Sequence, residues 1–179
     1  YSGSDMEGKT VIGRSMKKQS KYRLAVGAAS FWQKLYLDTE YLHGLHLQGM
    51  DCEDFTIQKK QGTVENGFQL ELYSKPKLSI PSALRRVLGK SVSYVEHGEY
   101  SPQTNKYTFR MVPSVLPKKI LISGVCWIVP VDDNHVDRFL ELEFSVKMFG
   151  VGKLLEGFIA QSNLDNQEKA IQFTKKWLQ

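Results

Sequence analysis

The chain opens its readable pattern with an alternating stretch, Tyr22-Arg23-Leu24-Ala25-Val26, which predicts a first strand. Gly27 punctuates it. From 28 to about 47 the period becomes helical, with Phe31, Leu35, Leu42 and Leu45 on the apolar side. Gly44 and Gly49 interrupt this region, so two short helices joined by a kink are expected. The period then drops to two for about a hundred residues. Phe55-Thr56-Ile57 reads as one strand. Phe68, Leu70 and Leu72 alternate with Gln69, Glu71 and Tyr73, and Asn66-Gly67 supplies tight-turn chemistry between the two strands. Val92, Tyr94 and Glu96 make the next strand. Tyr107, Phe109 and Met111 follow a Ser101-to-Asn105 turn. Residues 121–129 are almost continuously apolar, which predicts a strand covered on both faces. Asp132-Asp133-Asn134 closes a hairpin into a regular strand. Leu140, Leu142, Phe144, Val146 and Met148 share one face of it, and Glu141, Glu143, Ser145 and Lys147 the other.

A long helix is expected from 151 to 178, with Val151, Leu154, Leu155, Phe158 and Ile159 as its apolar stripe. Its polar middle, 162–169, reads as a bend or a solvent-facing section. Strands gathered between segregated helices predict an α+β fold. About seven strands form a curved antiparallel sheet with one apolar face. The C-terminal helix is the element available to cover that face. A curled sheet around one helix leaves room for an apolar ligand.

This order resembles the helix-grip fold of the START-like superfamily, which includes pollen-allergen-like proteins, polyketide cyclases and lipid-transfer domains. Within it, the chain is similar to an uncharacterised, mainly bacterial START-like family. The residues that carry the likeness are Ile80-Pro81-Ser82 before Arg85-Arg86, the strand Ile120-Leu121-Ile122-Ser123-Gly124, the run from Phe149 to Glu156, and the ending Phe173-Thr174-Lys175-Lys176-Trp177-Leu178. The second half also resembles sterol-transfer domains of membrane-contact-site proteins. The resemblance implies a hydrophobic ligand, lipid or sterol-like, bound and carried between sheet and helix. A cyclase- or dehydrase-type enzyme and a ligand-free protein-interaction module are the alternatives on the same fold.

Composition agrees with one globular domain. The 179 residues are 41% hydrophobic and 24% charged, with nine Phe, eight Tyr and three Trp. Residues 20–179 are expected to form the domain, with 1–19 as a flexible tail or an expression remnant. Net charge is +5, from 24 basic and 19 acidic residues. Much of the excess lies near the N-terminus at Lys9, Arg14, Lys17, Lys18, Lys21 and Arg23. That pattern suits solvated ends or an anionic lipid surface better than a nucleic-acid groove. Two cysteines without metal-ligand spacing, Cys52 and Cys126, point to a reducing compartment. The cytoplasm is expected, or a plastid or other organelle stroma if a targeting segment has been removed. A monomer is expected.

Candidate chemistry is sparse. The chain has no Walker A, GxGxxG, HExxH or GxSxG sequence, so no cofactor, metal or catalytic residue is assigned. His43 and His46 share a helix face, but no acidic residue at matching spacing completes a metal site. Glu141 and Glu143 fall on the outer face. Alternation places Phe68, Leu70, Leu72, Tyr94, Tyr107, Phe109, Leu140, Phe144 and Met148 inward, with Leu155 and Phe158 facing them from the helix. In this set only Tyr94 and Tyr107 bring a polar atom, to orient a ligand or simply to fill the core. The segment from Leu78 to Gly89 reads as a short amphipathic helix. Ile80, Leu84, Arg85, Arg86 and Leu88 would form a cavity mouth or a membrane contact, or pack on the sheet edge. Gly150 and Gly152 suit a tight strand-to-helix turn, a close approach to the sheet or a hinge.

Overall fold

In the computed structural model, which describes residues 15–179, seven antiparallel strands form one sheet in the order β1-β7-β6-β5-β4-β3-β2. The strands are β1 Met16–Leu24, β2 Cys52–Thr63, β3 Gly67–Pro76, β4 Tyr94–Ser101, β5 Lys106–Pro113, β6 Ile120–Asp132 and β7 His135–Val146. From β2 to β7 each strand pairs with its sequence neighbour, as hairpins dictate. The first strand closes the far edge by pairing with the last, Met16 opposite Phe144 and Leu24 opposite Val136. Residues 16–19 thus belong to β1, and residues 1–14 of the expected tail lie outside the described residues.

Between β1 and β2 lie α1 Ala28–Leu35 and α2 Thr39–Gly44, the latter running into one π turn, Leu45–Gly49. Asp38 caps α2, its carboxylate accepting from the Tyr41 amide at 2.9 Å. A 3-10 turn, Ser82–Leu84, leads into the single-turn α3, Arg85–Leu88. The chain ends in α4, Gly152–Trp177, which lies against β7, β1 and the π turn. This is the helix-grip fold: a curved antiparallel sheet closed over one long helix.

Two expectations need correction. Residues 121–129 are not covered on both faces. Ile120, Ile122, Cys126 and Ile128 are buried, whereas Leu121 and Val129 are 42% and 47% exposed. A period of two holds beneath the apolar run because both faces happen to carry aliphatic residues. The polar middle of α4 is neither a bend nor solvent-facing throughout. The 26-residue helix is unbroken, about 40 Å long, and several of its polar side chains turn to the interior.

The strand-to-helix turn explains one glycine. Gly150 has φ +80°, a left-handed conformation that L side chains rarely adopt, and no atom crowds its missing Cβ. It serves the turn and not a close approach. On the outer face, β1 lays its cations across β7. Lys17 Nζ lies 3.8 Å from Glu141 and 4.0 Å from Glu143, and Arg23 pairs with Asp137 at 2.9 Å. Part of the N-terminal basic cluster is therefore matched by acids; Lys9 and Arg14 lie outside the described residues.

Candidate functional site

A cavity of about 220 Å³ lies between the concave sheet face and the second half of α4. Strand alternation builds its floor. On β3 the inward residues are Leu70, Leu72 and Ser74; on β4, Tyr94 and Glu96; on β5, Tyr107, Phe109 and Met111; on β7, Arg138, Leu140 and Leu142. The roof comes from α4. Ser162, Asn163, Asn166, Gln167, Ala170, Ile171 and Thr174 fall at helical spacing on one side and all face the space. The α2–π segment adds Tyr41, Leu42, Leu45 and His46.

An aromatic cluster lies behind the lining residues Tyr36 and Tyr107, with Phe68 6.3 Å and 6.0 Å from their rings. Trp32 and Tyr100 rings lie 4.5 Å apart, and Phe68 stacks on Tyr100 at 4.9 Å. The left-handed turn residue Asn105 ties the cluster together, accepting from Trp32 Nε1 at 2.9 Å and from the Tyr100 hydroxyl at 3.0 Å. Trp32 and Phe31 thus fill the core.

The polar groups converge on the floor. The Tyr107 hydroxyl donates to Glu96 Oε1 at 2.7 Å. Gly98 makes this reach possible, because a methyl group there would overlap the Tyr107 hydroxyl and ring. The Tyr107 ring packs 4.7 Å from that of Tyr36, whose hydroxyl accepts from Arg138 Nη2 at 3.4 Å. A carboxylate, two phenols and a guanidinium therefore share one wall. Burial pushes the Glu96 carboxyl above its usual range, opposed by the Tyr107 hydrogen bond and the Arg138 charge. Burial, with the neighbouring Glu96, pushes Tyr107 well up. Burial likewise raises Tyr36 and takes Tyr94 to about 12. The phenols stay protonated at neutral pH, so they orient partners by hydrogen bonds. Glu96 is the group on this wall able to exchange a proton.

His43 and His46 clasp Phe55 between them. His46 stacks on it at 3.9 Å, and His43 meets it edge-on at 5.1 Å. His46 Nδ1–H donates to the Leu42 carbonyl at 2.8 Å, and burial lowers its pKa to about 4, so it is neutral. Among the described residues, no group of three His, Cys, Asp or Glu side chains is arranged to hold a metal ion. Both cysteines are free and buried.

Of the residues expected inward, Leu70, Leu72, Tyr94, Tyr107, Phe109 and Leu140 line the cavity. Phe68, Phe144 and Leu155 are buried in the core, and Met148 and Phe158 pack against it. In the 78–89 segment only Leu78 reaches the cavity. Ile80, Leu84 and Leu88 are buried, Leu84 completely, while Arg85 and Arg86 are exposed. Glu96 and Arg138 lie inside although the sequence reading gave the interior no charge. Both share strand parity with residues already placed inward, Glu96 with Tyr94 and Arg138 with Leu140, and that parity is the signal that finds them. His97 faces the opposite side, where it lines an open trough with Lys59, Glu71, Glu99 and Arg110.

Solved structures share this architecture at low sequence identity. The Zhui aromatase/cyclase from Streptomyces sp. R1128 is 11% identical, with TM-score 0.60, over 93% of this chain and 97% of that one. Norcoclaurine synthase from Thalictrum flavum is 16% identical, with TM-score 0.61, over 100% and 96%. A START superfamily protein from Mycobacterium smegmatis is 13% identical, with TM-score 0.59, over 91% and 99%. These likenesses show that the chain shares their helix-grip fold. No curated protein matches the sequence. A family model described as a protein of unknown function (DUF2505) matches residues 27–178, and the chain belongs to that family.

Proposed function

We propose that the chain binds a hydrophobic small molecule, lipid or sterol-like, between sheet and α4 and carries it. The supporting observation is the cavity, walled on the sheet by Leu70, Leu72, Met111, Leu140 and Leu142, with polar side chains gathered around Glu96, Tyr107 and Arg138 and along α4. Removing apolar ligand surface from water is worth about 25 cal/mol per Å². The polar groups then set orientation. At about 220 Å³ the space is smaller than the roughly 300–1,000 Å³ typical of drug-sized pockets. It suits a compact ligand, and a sterol-sized one requires α4 to move outward. Native mass spectrometry of the purified protein, with organic extraction of what it carries, tests this. The expected result is a ligand adduct lost on extraction. A bare mass together with no thermal shift from any apolar ligand overturns it.

Catalysis on the same wall is a second reading, favoured by the raised Glu96 carboxyl hydrogen-bonded to Tyr107 beside Arg138. Under it, Glu96→Gln binds ligand as the wild type does but turns none over.

Peripheral membrane contact, as part of the carrier reading, fits the β7–α4 turn better than the 78–89 segment, whose apolar side chains are spent on the core. Phe149 is 100% exposed at that turn, Leu154 is 49% exposed, and Lys147 and Lys153 beside them are exposed. An aromatic tip among lysines suits an anionic bilayer.

A further inference from the structure

Arg138 is the cation on the cavity wall, and among the described residues no ion pair involves it. Its neighbours are otherwise engaged. Asp137, next along β7, points to the outer face and is held by Arg23 at 2.9 Å and Lys21 at 3.2 Å. Glu96, the one carboxylate on the cavity wall, accepts from Tyr107. The side-chain contact made by Arg138 is a long one, 3.4 Å, to the Tyr36 hydroxyl. Arg138 lines the cavity and is half-buried, not sealed in the core. An arginine turned inward with no carboxylate at ion-pair distance is costly to keep, although Glu96 on the same wall feels its charge, and its planar fork matches a carboxylate through two parallel hydrogen bonds.

We propose that the ligand is an amphipathic carboxylic acid whose carboxylate pairs with Arg138 and takes a hydrogen bond from Tyr36, while its tail lies along Leu72, Met111, Leu140 and Leu142. This rests on the reading of the cavity as a ligand site and adds the class of molecule to it. The side chains fit the two ends. Arg138 lies on the same strand face as Leu140 and Leu142, so head and tail contacts are successive positions along β7.

The test is calorimetric titration of the whole chain at neutral pH with decanoate and with 1-decanol, which share a tail length and differ in charge. Decanoate is expected to bind at least tenfold more tightly. Arg138→Gln is expected to erase that advantage while leaving 1-decanol binding within twofold, and Arg138→Lys, which keeps the charge without the fork, to fall between. Equal binding of the two ligands by the wild-type protein overturns the carboxylate assignment and leaves carriage of a neutral ligand standing. An Arg138→Gln change that weakens both ligands equally also overturns it. Binding of neither ligand removes the cavity reading along with the inference. The wild-type comparison decides the matter even if Arg138→Gln fails to fold.

Discussion

His46 makes stability sensitive to acid in a way that can be calculated. Its ring is buried against Phe55, and its pKa falls from 6.5 to about 4, chiefly because burial penalises the charged form. A folded value below the unfolded one means that the unfolded chain binds the proton more tightly. Stability from this group is therefore intact above the unfolded value and lost as pH falls toward the folded one. Linkage between these two values gives a loss of about 2.5 kcal/mol at about pH 4.5, approaching about 3.4 kcal/mol below the folded value. Several carboxylates also titrate in this range, so the measurement must be differential. His46→Phe keeps a ring against Phe55 and removes the titration. It forfeits the hydrogen bond to Leu42, worth about 1 kcal/mol at any pH. Urea unfolding of both proteins at about pH 7.5 and about pH 4.5 isolates the effect. The wild type should lose about 2.5 kcal/mol more than the variant on acidification. An equal loss in the two proteins would refute the assignment of a buried, neutral imidazole.

Two further perturbations probe the site and its surroundings. Gly98→Ala forces the Tyr107 ring from its seat over β4 and should cost about 1–3 kcal/mol in urea unfolding; at least half of that penalty should vanish in a Tyr107→Leu background, and strict additivity would show that the two do not compete for space. Phe149→Ser should leave the melting temperature unchanged, since the ring is fully exposed, yet reduce binding to phosphatidylserine-containing vesicles by about tenfold; unchanged vesicle binding would remove the turn as a membrane contact.

The sheet and the long helix were legible because they follow from short-range pattern. Period two in the strands and the Asn-Gly and Asp-Asp-Asn turns define the hairpins, and an uninterrupted stretch after 151 defines α4. The charged wall was not read, for a particular reason. An apolar criterion for inward positions ends at Leu140 on one strand and, with its tyrosine, at Tyr94 on another. Carrying the same alternation two residues further reaches Arg138 and Glu96. The sequence also did not reveal that Ile80, Leu84 and Leu88 would spend their apolar surface on the core. An amphipathic turn on a lipid surface and one on a protein surface have the same pattern, and only the packing partner separates them. Likewise Gly98 carries no signal of its own, because its role depends on Tyr107 from the facing strand.

The cavity itself has a cause in the sequence of α4. Early in the helix the inward positions are Leu155 and Ile159, both buried, and they seal the sheet. One turn later the same face carries Ser162 and Asn163, then Asn166 and Gln167. These side chains resist collapse onto leucines, since an amide pressed against an apolar wall loses its hydrogen bonds to water without compensation. Some are held back by local partners. Asn163 donates to the Ile159 carbonyl at 2.9 Å, and Gln167 accepts from Ser20 at 3.1 Å. Leucines at these positions would interdigitate with Leu70, Leu72 and Leu140 and close the space to native density. An open cavity between two apolar elements is otherwise unstable, because each lining atom forgoes its contacts. The polar stretch that looked like an interruption of the amphipathic pattern is what keeps sheet and helix apart, opposite the wall that bears Glu96 and Arg138.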